Sequence, residues 1–247
     1  MPAPRAKPRP VCIGTAGWSI GAGHAATFAA DGTQLQRYAA VMNCVEINSS
    51  FHRSHRVQTY ERWAASTPEH FRFAVKLPRQ ITHAARLKEV HTLLAQFAAE
   101  AGGLGPKWAV ALAQLPPSLG FEAALAERFF AQLHEVFDGA VVCEPRHASW
   151  FTPQAEQLLR DCEVSRAAVD PAQWPDAAEP GGWQARVRYH RWHGSPRTYW
   201  SSYEPAWLQQ RAQALRQPPR GVVCWCIFDN TAAGAAVPNA LQLRALL

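Results

Sequence analysis

Val141-Val142-Cys143-Glu144-Pro145-Arg146-His147-Ala148-Ser149-Trp150 reads as a buried strand that ends abruptly in reactive side chains. The apolar, β-branched opening has the length and composition of a strand covered on both faces. Proline cannot donate to a sheet ladder, so the strand stops near Pro145. A carboxylate, a guanidinium and an imidazole at such an exit are costly unless paired or used. The same grammar, an apolar run followed by functional side chains, recurs along the chain.

Eight strands are predicted: Val11–Gly14, Cys44–Asn48, Phe71–Leu77, Trp108–Leu115, Ala140–Glu144, Ser165–Val169, Val187–Trp192 and Gly221–Phe228. Helical patterns lie between most of them, over Thr33–Val41, Val57–Ser66, Leu87–Ala101, Glu122–Phe137, Thr152–Cys162 and Pro205–Arg216. A last helix runs from Thr231 to Leu246, with Pro238 as an interruption. Thr152-Pro153 has the N-cap and first-position signature of a helix start. The stretch after strand six, Ala172–Trp183, is rich in Pro, Gly and Trp, so a loop replaces the helix there. Parallel neighbours need crossover connections. Eight strand–helix units in this length fit a (β/α)₈ TIM-like barrel, with a doubly wound open sheet as the alternative. No linker breaks the composition. The organisation expected is a disordered tail over residues 1–10 and a single domain over residues 11–247.

The chain has 247 residues, 48% hydrophobic and 18% charged, an ordinary globular balance. No apolar run reaches the ~18 residues of a membrane span, and the Pro- and Arg-rich start lacks the apolar core of a secretory signal. Five of the six cysteines fall in predicted strands, where thiols act as small hydrophobes. A cytoplasmic setting without disulfides is expected. The net charge of +6 allows an anionic partner, and nucleic acid among such partners. That support is weak. The excess is nearly all arginine, part of it sits in the tail, and the body has no dense basic run.

Barrel active sites lie at the C-terminal ends of the strands. Those ends collect Glu46 and Asn48, Lys76, Gln114, Glu144 and Arg146, Asp170, Arg191 and His193, and Asp229 and Asn230. Period 2 puts Glu144 beside Arg146 on one face, and Arg191 beside His193. Three readings stay open for the acids. They hold a divalent metal with imidazoles, they serve as acid and base or nucleophile on a sugar, or they pair with Lys76, Arg146 and Arg191 to satisfy the mouth. Glu46, Glu144, His193 and Asp229 are the catalytic candidates. Asn48, Lys76, Gln114, Arg146, Arg191, Tyr199 and Asn230 are the binding candidates. His193 is followed by Gly194, which gives the backbone room for a ligand or base. Tyr199 and Tyr203 are placed to stack on a ring, whereas Trp150, Cys44 and Cys143 read as packing residues. A small polar or anionic substrate is expected, with no membrane partner.

The segments Ile13–Trp18 (IGTAGW), Val45–Phe51 (VEINSSF), Phe73–Lys76 (FAVK), Ile81–His83 (ITH), Gln114–Ser118 (QLPPS), Glu144–Trp150 (EPRHASW) and Arg191–Gly194 (RWHG), with Asp229-Asn230 and Asn239-Ala240, together resemble the YecE-like family, domain of unknown function 72. They span nearly the whole chain in order. The resemblance implies a TIM-barrel fold and no assigned reaction. Comparison of some members with metal-dependent endonucleases and sugar isomerases is fold analogy alone. Three positions depart from the family pattern: His52 in place of tyrosine, Pro145 between Glu144 and Arg146, and Asp229 in place of asparagine. The resulting expectation is a hydrolase- or isomerase-type enzyme on a phosphate-bearing or sugar-like substrate, possible nucleic acid included. A non-catalytic anion sensor is the alternative.

Overall fold

The computed structural model describes residues 11–217 and 219–247. The tail expected over residues 1–10 lies outside the described residues. The chain forms an α/β fold of two largely parallel sheets flanked by helices. In chain order the elements are β1 (Cys12–Thr15), α1 (Gln34–Val41), β2 (Cys44–Ile47), the single turn α2 (Ser49–His52), α3 (Val57–Ala65), β3 (Arg72–Lys76), α4 (His91–Ala101), β4 (Trp108–Gln114), α5 (Ala123–Val136) and β5 (Ala140–Glu144). Next come α6 (Pro153–Asp161), β6 (Val164–Arg166), β7 (Ala168–Asp170), β8 (Gly181–Gly182), β9 (Val187–Trp192), α7 (Pro205–Leu215), β10 (Val223–Phe228) and α8 (Ala236–Ala245).

One sheet has the order β1-β10-β9-β7 and the other β2-β3-β4-β5-β6-β8. All pairings are parallel except β6 with the two-residue β8. The sheets approach each other at two places. A parallel bridge joins Ala16 to Glu46. The strand expected over Ser165–Val169 is split at Ala167, its first half pairing with β5 and its second with β9. Gly14 sits where β1 runs beside β2. A Cβ there would lie 2.2 Å from the Cys44 carbonyl oxygen, so only glycine fits.

Several expected boundaries shift for local reasons. The helix expected from Leu87 begins at His91, because Arg86, Leu87 and Glu89 all take positive φ. The last helix starts at Ala236 rather than Thr231, since Gly234 at φ +77° closes a turn first. No helix follows β7; a 3₁₀ turn at Pro175–Ala178 and β8 occupy that stretch. Two helices, α1 and α6, start at a side-chain cap. Thr33 makes a capping box with Gln36, and the Thr152 hydroxyl accepts from the Ala155 N–H.

Two apolar clusters hold these layers. The larger joins strands to helices through buried residues such as Leu94, Phe97, Phe129, Phe130 and Leu133. Full burial of each contributes about 1.5–3 kcal/mol. The smaller takes alternate residues from the strands, among them Cys44, Ala74, Leu112, Val142, Tyr189 and Ile227. Each of these six lies two positions before a polar residue named above: Glu46, Lys76, Gln114, Glu144, Arg191 and Asp229. Period 2 therefore stacks one polar layer directly over an apolar floor. All six cysteines are free thiols. No helix among the described residues is long and apolar enough to cross a membrane.

Candidate functional site

Arg191 is the centre of the polar layer and is fully buried. Its Nε donates to Glu46 Oε2 at 2.9 Å, and its Nη2 to Glu46 Oε1 at 2.6 Å. Nη1 donates to Glu144 Oε2 at 2.5 Å, and Nη2 also reaches Asp229 Oδ2 at 2.9 Å. One guanidinium thus binds three carboxylates from three strand ends. The Tyr189 hydroxyl adds a 2.8 Å bond to Glu46 Oε2. Both oxygens of Glu46 are committed, and the residue has 0% exposure.

Glu144 is held from several sides. Gln114 Nε2 and Arg146 Nε each donate to its Oε1 at 2.9 Å. Burial alone would raise its pKa, but Arg191, Arg146 and His193 outweigh that and hold the carboxyl well below the usual range. Asp229 behaves similarly: Arg191 and a bond with His193 overcome desolvation and lower it. The local charge balances, because three carboxylates face Arg191, Arg146 and Lys76. Lys76 takes part in none of the ion pairs among the described residues. Its ammonium lies 4.2 Å from the centre of the Phe51 ring. Desolvation first, and the Arg191 charge second, lower its pKa to about 8.

His193 has the most suggestive geometry. Its Nδ1 lies 3.0 Å from Asp229 Oδ2. Its Nε2 is buried and has no hydrogen-bond partner among the described residues, with Glu144 Oε1 at 3.8 Å. The ring lines a cavity of about 250 Å³ together with Glu144, Arg146, Trp174, Thr198 and Tyr199. Tyr199, at φ +68°, closes one side, its hydroxyl 3.4 Å from Arg146 Nη2. Gly194 is required behind the histidine. Its φ is +93°, and a Cβ would lie 2.6 Å from the Ser201 carbonyl oxygen.

The predicted residues therefore divide. Glu144, Arg146, His193 and Tyr199 meet at the cavity, and Asp229, Arg191, Glu46 and Gln114 brace them from beneath. Asn230 does not face that cavity. Its Nδ2 donates to the Ser201 carbonyl and to Asn239 Oδ1, tying down the loop that carries Tyr203. Asn48 leads into α2 and its Oδ1 is buried without a partner among the described residues. Asp170 accepts from the Tyr203 hydroxyl, and Tyr203 stacks on Trp207 rather than facing a ligand. Trp150, Cys44 and Cys143 are buried packing residues. Sequence reading missed Tyr189, though it sits two positions before Arg191 on the same face. It also missed Trp174, which comes from an aperiodic loop that carries no sequence signal.

A divalent ion does not suit this donor set. The guanidinium of Arg191 already occupies the position where three carboxylates converge. Among the described residues no group of three or more His, Cys, Asp or Glu is disposed to hold a metal.

A family model described as protein of unknown function DUF72 matches residues 12–247. The chain is 30% identical over 144 residues to the UPF0759 protein YecE of Escherichia coli K12, which covers 56% of this chain and 52% of that protein. The matched region thus spans about half the length of that relative. UPF0759 protein YunF of Bacillus subtilis is 28% identical over 266 aligned positions, covering 96% of this chain and 94% of its own. Among solved structures, a DUF72 family protein of Enterococcus faecalis superposes with a TM-score of 0.77 at 20% identity, over 96% of this chain and 95% of the other. One from Thermotoga maritima gives 0.76 at 23% identity, over 96% and 98%. At these identities the likeness is one of fold.

Proposed function

This chain belongs to the YecE-like DUF72 family, and from that premise we propose an acid–base enzyme, of isomerase or hydrolase type, acting at the strand-exit cavity. The substrate is small, sugar-like or phosphate-bearing. The observation that carries this reading is the buried Nε2 of His193, unpartnered among the described residues, on a ring that lines a cavity where Glu144, Arg146, Thr198 and Tyr199 meet a wall of prolines and Trp174. Asp229, kept ionised, accepts the Nδ1–H and leaves the Nε2 lone pair to take a proton from substrate. Asp229 and the Glu144 carboxylate at 3.8 Å then stabilise the imidazolium. Arg146, partly exposed at the rim, holds an anionic group of the substrate. Lys76 adds positive potential. Glu46 is a positioning residue for Arg191 rather than a proton carrier, because both its oxygens are engaged.

The same proposal takes the two sheets as one eight-stranded TIM-like ring, with β6 and β7 as a single strand. The Ala16–Glu46 bridge and the two-sided pairing of that strand support it. The second reading, a non-catalytic anion sensor in a cytoplasmic setting, is favoured by the commitment of Glu46, Glu144 and Asp229 to Arg191. Nucleic acid as the phosphate source rests on net charge alone.

Thermal-shift screening against sugar phosphates, sugar acids and short oligonucleotides identifies the ligand class. NMR of the recovered ligand then tells the readings apart. A ligand that is converted by the wild type, and bound unchanged by H193N, supports the enzyme. A ligand returned unmodified by the wild type establishes the sensor instead. Conversion that persists in H193N removes His193 from the chemistry.

A further inference from the structure

A second cavity, of about 140 Å³, lies on the outer face of β9 against α7. Arg188, His190 and Trp192 from β9 line it, with Arg211 from α7. These β9 residues alternate with Tyr189, Arg191 and His193, which serve the mouth. A strand sends alternate side chains to opposite faces, so the two cavities are separate.

The second cavity has an excess of unsatisfied positive charge. The Nε atoms of Arg188 and Arg211 are both buried and lack hydrogen-bond partners among the described residues. Arg211 does lie over the Trp207 ring at 5.2 Å, but its Nη2 reaches only Gln210 Oε1, at 3.5 Å. Glu179 also lines the cavity, yet no ion pair among the described residues joins it to either guanidinium. His190 registers the field. Burial first, and then Arg211 and Arg188, lower its pKa to about 4, so the ring is neutral near pH 7. A buried guanidinium N–H without an acceptor is costly, and an oxyanion removes that cost by accepting from it.

We propose that this cavity, bounded by Arg188, Arg211 and His190, is a binding site for a phosphate group, separate from the mouth. Two guanidiniums without carboxylate partners match a dianion better than a single carboxylate. A volume of about 140 Å³ is that of several water molecules at ~30 Å³ each, enough for a phosphate with some of its hydration. The source is either free phosphate or the phosphoryl end of a small metabolite.

The test follows His190 by NMR while inorganic phosphate, or glycerol 3-phosphate as a phosphomonoester, is titrated at constant ionic strength. A bound dianion shifts the His190 resonances and raises its titration midpoint. R211Q weakens this response about tenfold, the loss of one charge-assisted hydrogen bond, and R188Q does the same. E179Q strengthens it, because a competing negative charge leaves the lining. R146Q, at the mouth, leaves it unchanged. Arg211 sits half-buried on α7, so R211Q provides the answer if R188Q fails to fold. A preference for the phosphomonoester identifies a metabolite, and equal affinity identifies free phosphate. A His190 signal that ignores both anions, or a response lost in R146Q and kept in R211Q, overturns the proposal.

Discussion

Arg191 and Glu46 form a two-point ion pair in which neither residue has any exposure, with contacts of 2.9 and 2.6 Å. Their strands are not neighbours: Glu46 is the penultimate residue of β2, and Arg191 that of β9. The pair ties one sheet to the other through the interior. Such a pair is expensive to desolvate and more expensive to break on one side.

Removing one partner should therefore expose that asymmetry. R191M leaves Glu46, Glu144 and Asp229 crowded together without their common cation. It is expected to cost at least the ~3–5 kcal/mol typical of a broken buried pair, read as a lower urea midpoint. E46Q keeps the shape and should cost less. Equal stability of R191M and wild type would show that the pair contributes nothing to the fold.

Acid should unfold the protein through the same layer. Glu144 and Asp229 have folded-state pKa values below their ordinary 4.5 and 3.8. Their stabilisation is fully present above those ordinary values. It is lost as pH falls below them toward the lowered folded-state values, because the unfolded chain then binds more protons. Chemical denaturation from pH 6 down to pH 3 should show that decline, and E144Q should flatten part of it.

Lys76 acts with the same sign in a higher pH window. Its amine titrates near 8 in the folded state against an ordinary 10.5. Between those values the unfolded chain holds the extra proton, so stability contributed at this site rises with pH. Lysine-selective NMR should find one midpoint near 8 that is missing in K76M. A Lys76 midpoint at its ordinary value would remove this residue from the electrostatics of the layer.

The His193 tautomer is set by Asp229 at 3.0 Å. In wild type the ¹⁵N shifts should report a proton on Nδ1 and a bare Nε2. D229A should mix the two forms. A wild-type ring protonated mainly at Nε2 would contradict the assignment of Nε2 as proton acceptor.

Gly194 tests the backbone behind that ring. G194A forces a Cβ to within 2.6 Å of the Ser201 carbonyl oxygen and 2.9 Å of Asn230 Cβ, at a φ of +93°. Backbone strain of this kind costs on the order of 1–3 kcal/mol before the clash is counted, so a clear drop in melting temperature is expected. Retention of the wild-type melting temperature would mean that the loop simply moves aside.

The amino-acid sequence by itself determined the strand–helix alternation and the side each strand residue faces. Both follow from local periodicity, and β5 and β9 were bounded without error as Ala140–Glu144 and Val187–Trp192. Period 2 also placed Glu144 with Arg146, and Arg191 with His193, because each pair needs only its own strand. What the sequence left open was the partner of each acid. Glu46 and Arg191 are 145 residues apart, and no local pattern distinguishes a catalytic carboxylate from one bound to a distant guanidinium. Only the tertiary structure decided that Arg191 takes three carboxylates and that His193, lining the cavity, has an Nε2 without a hydrogen-bond partner among the described residues. The physical reason is that side-chain direction is a property of one strand, whereas ion pairing in a buried layer depends on which strand ends the fold brings together.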